Sequence, residues 1–323
     1  MKENKENKGN IKTKNEIFAF LPQRLVVLLG GLSDTVWNTL EEIRLRKLGP
    51  ILLVCGSKTM CIDTNGKASK DFFAPHICDS ALLDEIVHIS TDFSPYAYEK
   101  YLSDGYVTVR GGHRIGICGT AVIKDDKIRG FKNVSSVIIR IARTVENFGV
   151  NIARLINNGN ICLNTAVISP PKCGKTTLLR NLARLTASGC NMRRVCIVDE
   201  RGEICAMHNG TPQFDVGVNT CVIDGCTKNQ GVEIALRTMS PDVIICDEIY
   251  DKSEADILCN AVCGGVSVIY AVHGKSADVF SASSRFANLA DLTECCVQLS
   301  SRQGPGTIEN VRLNNRNGGE KYA

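Results

Sequence analysis

The nine residues SPPKCGKTT, 169–177, hold the densest chemistry in this sequence. An apolar run, LNTAVIS (163–169), leads into them, and Leu178, Leu182 and Leu185 follow at helical spacing. Strand, short loop and helix in that order form the arrangement that cradles phosphate. Backbone N–H groups and the positive end of the helix face the oxygens, and a lysine reaches them from the side. Ser169, Pro170, Pro171, Lys172, Cys173, Gly174, Lys175, Thr176 and Thr177 are therefore expected to bind the phosphates of ATP. Lys175 would reach the β- and γ-phosphates, and Thr176 would hold Mg²⁺ through its hydroxyl. The loop departs from the usual pattern at Ser169, where a glycine is expected. Lys172 also stands where glycine is frequent, and a side chain makes a positive φ costlier there.

Three more motifs end apolar runs. PDVIICDEI (241–249) closes on Asp247, placed for the Mg²⁺ shell, and Glu248, placed to orient or deprotonate an attacking water. VCIVDERGEI (195–204) ends in Asp199 and Glu200. Ligands of parallel sheets gather at the carboxyl ends of strands. That pair either shares the site or serves as a helix cap and a surface ion pair. YAVHG (270–274) ends in His273, which either senses the γ-phosphate or is structural. Glu200 and Glu248 both remain open as the general base.

These residues need a scaffold that brings strand ends together. From 161 onward the sequence alternates strand and helix. Strands are expected at 163–169, 194–200, 242–248 and 265–274, and helices at 174–187, around Val232 to Met239 and around Ala255 to Val262. That order implies an α/β fold with a mostly parallel sheet covered by helices. Residues 16–145 read as a smaller α+β domain, with strands at 105–112, 114–122 and 135–143. Residues 146–160 read as a linker, and 1–15 as a disordered basic leader. The N-terminal part supplies Arg110, Arg114, Arg140 and Arg143 in or beside strands. One of them is expected to act as an arginine finger; otherwise they are solvated or paired.

Composition narrows the function classes. The chain has 323 residues, 44% hydrophobic and 22% charged, which is globular composition. Of the formal net charge of +4, the leader contributes Lys2, Lys5, Lys8, Lys12 and Lys14 against Glu3 and Glu6. The remainder is close to neutral, which argues against a nucleic-acid-binding face. The 16 cysteines include no CxxC pair, and many lie inside apolar runs, so free thiols in a reducing cytoplasm are expected. The uncharged stretch 257–272 is too short to span a bilayer, so a membrane connection would pass through a partner.

The series EEIRLRKLGPI (41–51), FSPYAYEKYLSDGYVTVRGGHRIGICG (93–119), SPPKCGKTTLLR (169–180), VDERGEI (198–204), DVGVNTCVIDGC (215–226) and RTMSPDVIICDEI (237–249) resembles the family of stage III sporulation AA proteins. That family lies within the type II/type IV secretion ATPase group. The resemblance covers roughly residues 16–315. It implies a RecA-like ATPase domain and a smaller N-terminal domain that packs over the nucleotide. It also implies a homo-oligomeric ring, expected to be a hexamer. The partners would be membrane-embedded sporulation channel proteins joining mother cell and forespore, with this chain on the mother-cell side as a peripheral cytoplasmic ATPase. In such proteins an acid in the strand after the phosphate loop can act as catalytic base, here Asp199 or Glu200. The motifs at Asp247 and Glu248 and at His273 also match, and the phosphate-approaching arginines fall on Arg110, Arg114 or Arg140. Competing readings are a nucleotide-binding scaffold with weak turnover and a RecA-like ATPase acting on nucleic acid.

Overall fold

The computed structural model describes residues 12–94, 102–103, 105–145, 147–159, 161–189, 192–314 and 320–322. Residues 1–11 of the leader, and 95–101 and 104 of the segment 93–119, lie outside the described residues. Two compact units divide the chain, Met1–Arg143 and Thr144–Ala323.

Among the described residues, unit 1 sets helices beside an antiparallel sheet. The helices are α1 (12–18), α2 (Gln23–Gly30), α3 (Asp34–Thr39) and α4 (Ser80–Ser90). The strands are β1 (Leu40–Arg46), β2 (Leu52–Cys55), β3 (Lys58–Ile62), β4 (Ala68–Ser69), β5 (Tyr106–Thr108), β6 (Arg114–Lys124) and β7 (Lys127–Arg140). Their order is β4-β3-β2-β1-β7-β6-β5. A bulge between Leu40 and Glu42 lets β1 turn Leu40, Ile43 and Leu45 to the core despite their uneven spacing. Trp37 is buried edge-on against Phe18. Residues 12–15, expected to belong to the disordered leader, are helical instead. Ile17, Phe20 and Leu21 are buried and anchor this segment. The Lys14 ammonium lies 5.5 Å from the Phe18 ring centre, so this basic residue packs against the unit.

Unit 2 holds the motif strands. They are β8 (Asn157–Asn158), β9 (Ile161–Cys162), β10 (Thr165–Ser169), β11 (Val195–Asp199), β12 (Thr220–Asp224), β13 (Val243–Ile249), β14 (Ser267–His273), β15 (Cys295–Ser300), β16 (Thr307–Asn314) and β17 (Glu320–Tyr322). The helices are α5 (Val150–Ile156), α6 (Lys175–Thr186), α7 (Lys228–Ile234), α8 (Lys252–Cys263), α9 (Ala277–Ser281) and α10 (Ala287–Leu292). A π-helical turn, Ala235–Met239, extends α7. The main sheet runs β12-β11-β13-β14-β10-β15-β16-β17. Neighbours from β12 to β15 pair parallel, and β16 and β17 pair antiparallel. The expected mostly parallel sheet is therefore a mixed one. The closing segment returns as hairpins, which need no helical crossover.

Strands β10, β11 and β13 are continuous apolar runs because both faces of the sheet are covered. Val167, Ile197 and Ile245 face Leu178, Leu179 and Leu182 of α6. Ala166, Val198, Ile244 and Cys246 face Val232 of α7 and Leu258 of α8. Each large aliphatic side chain so buried contributes about 1.5–3 kcal/mol. The expected linker is instead part of unit 2. Its α5 buries Ile152, Ala153 and Ile156 in the α6-side core. Gly149 permits this approach: its φ is 78°, and a Cβ there would lie 2.3 Å from Leu178 Cδ1. Among the described residues the cysteines are free, and no helix is long and apolar enough to cross a membrane.

Candidate functional site

The loop after β10 turns sharply before it becomes α6. Pro170 and Pro171 fix φ near −65° and lack N–H donors, so the turn falls on the residues after them. Lys172 takes φ 60° and Gly174 φ 89°. Lys172 thus adopts the left-handed backbone that the sequence marks as costly for it. Gly174 caps α6, and a Cβ there would stand 3.2 Å from the Gly306 backbone. The Gly306 N–H donates to the Cys173 carbonyl at 3.1 Å, so the turn before β16 braces the loop. Cys173 is buried and packs with the α6-side core. The Ser169 hydroxyl donates to the Pro170 carbonyl. Thr176 and Thr177 sit half-buried in the first turn of α6, where backbone N–H groups have no partners within the helix.

Lys175 points back along the loop. Its ammonium donates to the carbonyls of Ser169 at 3.0 Å and Pro170 at 3.2 Å, and lies 3.7 Å from Glu248 Oε1. The same Glu248 oxygen is 3.5 Å from His273 Nδ1. The Tyr250 hydroxyl donates to Glu248 Oε2 at 3.0 Å, and Arg201 donates to Tyr250 Oη at 3.2 Å. Burial and the neighbouring Glu248 push the Tyr250 phenol up to about 12, so it remains a donor. Strands β10, β13 and β14 lie side by side in parallel, and their carboxyl ends bring Lys175, Glu248 and His273 together. A register shift of β13 against β14 between Cys246 and Glu248 lets two successive acids serve one end of the sheet.

Asp247 is buried, and neither carboxylate oxygen accepts a hydrogen bond. The Lys228 ammonium lies 3.0 Å from Oδ1, close in charge but outside hydrogen-bonding geometry. Burial raises the Asp247 carboxyl to about 7, against the opposing pull of Lys228. A buried carboxylate oxygen without a donor suits a hard divalent ion. With the Thr176 hydroxyl on the neighbouring loop, the residues present fit Mg²⁺.

Glu200 stands apart from Lys175. Its Oε2 accepts from Lys228 at 2.7 Å, and Lys228 also donates to Glu254 Oε1 at 3.3 Å. Nearby carboxylates raise the Lys228 ammonium and outweigh the lowering by burial. Asp199 is fully buried and accepts from the N–H groups of Glu203 and Cys205 at 2.8 Å and of Ile204 at 3.2 Å. These three bonds fold the 200–205 loop back onto the strand end, where no helix begins. Arg180 completes that loop by donating to the carbonyls of Ile204 and Glu203 while its guanidinium stacks 3.6 Å from the Phe214 ring centre.

Three further participants escaped the sequence reading: Lys228, Tyr250 and Glu254. Lys228 sits in the polar run DGCTKNQG, which reads as surface. The capping box of Thr227 with Gln230, which fixes the start of α7, was the signal available. The candidate arginines all belong to unit 1. Arg110 is exposed, the Arg114 guanidinium lies 4.9 Å from the Tyr106 ring centre, and Arg140 Nε is 3.7 Å from Glu42. Arg143 donates to the carbonyls of Trp37 and Leu40, a structural role.

Comparison with known proteins identifies the family. Residues 11–319 match the family described as sporulation stage III, protein AA. The chain belongs to that family. Stage III sporulation protein AA of Bacillus subtilis (strain 168) is 35% identical over 302 residues, 92% of this chain and 94% of that protein. Among solved structures, the Legionella pneumophila ATPase DotB superposes with a TM-score of 0.54 at 13% identity, covering 94% of this chain and 79% of that one. The pilus retraction motor PilT with bound ADP superposes with a TM-score of 0.54 at 14% identity, covering 88% of this chain and 78% of that one. At such identities the likeness is one of fold: an α/β fold like that of this ATPase and this retraction motor.

Proposed function

We propose that this chain is a Mg²⁺-dependent ATPase that works as a motor in a ring of identical subunits during endospore formation. Its RecA-like unit 2 would convert ATP hydrolysis into movement of a membrane-embedded channel complex between mother cell and forespore. The observation that carries this reading is the convergence of Lys175, Glu248 and His273 at the carboxyl ends of adjacent parallel strands. The names of the similar folds, an ATPase and a retraction motor with ADP bound, support it.

The loop backbone and Lys175 would take the phosphates, and Thr176 and Asp247 would hold Mg²⁺. The ion would screen charge on the transferring phosphoryl group. Lys175 would exchange its contacts with the Ser169 and Pro170 carbonyls for phosphate oxygens. Glu248, fixed by Tyr250, would orient the attacking water and accept its proton. His273, beside the same carboxylate, would sense the γ-phosphate. The ring, expected to be a hexamer, would sit at the cytoplasmic face of the mother-cell membrane.

One observation favours a second reading, a nucleotide-binding scaffold of low turnover. Lys172 holds a backbone conformation natural to glycine, in a loop whose first glycine is replaced by Ser169. Phosphate release by the purified chain, with and without Mg²⁺, separates the two. In the ATPase reading, release requires Mg²⁺ and Lys175→Ala abolishes both release and tight binding of a fluorescent ATP analogue. Wild-type nucleotide affinity in Lys175→Ala rejects the site. Tight binding with negligible release from every oligomeric fraction selects the scaffold.

A further inference from the structure

We infer that Lys228 is a positioning residue: a tethered cation, anchored by Glu200 and Glu254, that sets where the Asp247 carboxylate stands to receive Mg²⁺. The inference rests on the ATPase reading above. Lys228 is 1% exposed, and its ammonium meets Glu200 Oε2 at 2.7 Å, Asp247 Oδ1 at 3.0 Å and Glu254 Oε1 at 3.3 Å. Those carboxylates come from three places: the residue after β11, the end of β13 and the first turn of α8. Lys228 itself opens α7, whose start is fixed by the Thr227–Gln230 capping box. Four elements therefore determine one charge.

Asp247 is held differently from its neighbour in the sheet. Asp199, one strand away, is fixed by three backbone N–H groups. Asp247 accepts no hydrogen bond at either oxygen. Among the described residues the near cation that orients it is the Lys228 ammonium, 3.0 Å from Oδ1. The ammonium cannot swing elsewhere, because an unpaired charge in a buried site is strongly unfavourable. Glu254 ties the arrangement to the other acid: its Oε2 accepts from the Tyr250 N–H at 2.6 Å, and the Tyr250 hydroxyl donates to Glu248. Glu200 acts in this scheme through Lys228, which gives the 199–200 motif a task different from general base catalysis.

The competing explanation is a purely structural ion cluster pinning α7 to the sheet. Removing such a cluster lowers stability without changing how Mg²⁺ is felt. Loss of a group that orients a metal ligand typically costs about 10–100-fold in metal affinity.

The test uses the full chain and a fluorescent ATP analogue, with binding titrated against Mg²⁺ and melting recorded in parallel. For Lys228→Met, we expect binding without Mg²⁺ to persist and the Mg²⁺ midpoint to rise about 10–100-fold. Glu254→Gln, which keeps size and a carbonyl oxygen but loosens the anchor, should raise the midpoint by a smaller factor. An unchanged midpoint in folded Lys228→Met overturns the inference, whatever its melting temperature. Should that variant fail to fold, Glu254→Gln decides: a raised midpoint supports the inference and an unchanged one overturns it. Wild-type binding that ignores Mg²⁺ rejects the underlying ATPase reading instead, so the two failures are distinguishable.

Discussion

Glu248 and Glu200 are both acids at strand ends, yet their neighbours differ in kind. Glu248 lies beside Lys175 and His273 and accepts from a phenol. Glu200 is engaged by the ammonium of Lys228. Glu248 is the acid of the two that stands beside the phosphate-loop lysine, and for that reason we propose it as the base. Glu248→Gln should keep nucleotide affinity and slow hydrolysis by about 10²–10⁴-fold. Glu200→Gln should act mainly on the Mg²⁺ midpoint. Single-turnover hydrolysis of both variants checks this. Normal turnover in Glu248→Gln with a silent Glu200→Gln would reverse the assignment. Lys228 was invisible in the sequence for a physical reason. Burial of this lysine depends on three acids, Glu200, Asp247 and Glu254, far from it in sequence, and no local spacing records that.

Elements were legible where both faces of a strand are buried. The runs at 165–169, 195–199, 243–249 and 267–273 are mainly apolar with polar residues toward their ends, and each is a strand. The strands β12 and β16 escaped because their residues are mostly half-buried and follow no clean alternation of apolar and polar. The short strands β2 and β3 of unit 1 are legible only through their partners. The 200–205 loop belongs to this scale as well. A single buried carboxylate, Asp199, takes three backbone donors, and Arg180 clamps the loop from α6. Asp199→Asn turns one acceptor into a donor facing an N–H. Hydrogen bonds to charged groups are worth about 1.5–3 kcal/mol, and unit 2 should lose about that much in denaturant unfolding. A full-size loss of hydrolysis with unchanged stability would instead give Asp199 a direct chemical role.

At the scale of the whole molecule, the phosphate loop and acids stand in unit 2, while Arg110, Arg114 and Arg140 stand in unit 1. An arginine supplied from a neighbouring subunit is worth roughly 10³–10⁵ in rate. Mixing Arg140→Ala, or the Arg110 and Arg114 equivalents, with Lys175→Ala should therefore restore part of the ATPase activity lost by each. Activity per subunit that stays constant down to monomeric concentrations would rule this out. Unit 1 carries its own acid sensitivity. His113 is fully buried, its Nδ1 accepts the Ala142 N–H at 3.0 Å, and its Nε2 faces Glu16 at 3.8 Å. Burial, reinforced by Arg143, lowers its imidazolium from 6.5 to about 4. The folded state thus binds fewer protons than the unfolded one in that window, and stability falls as pH drops from 6.5 toward 4. The loss amounts to about 3 kcal/mol. His113→Gln should flatten that part of the melting-temperature profile; an unchanged slope would assign it to other groups. The protein also comes with its own means of following such events. Its one tryptophan, Trp37, is sealed in the core of unit 1, and unit 2 has none. Intrinsic indole emission therefore reports the melting of one unit alone. Circular dichroism sees both, and any gap between the two curves measures how independently the halves come apart.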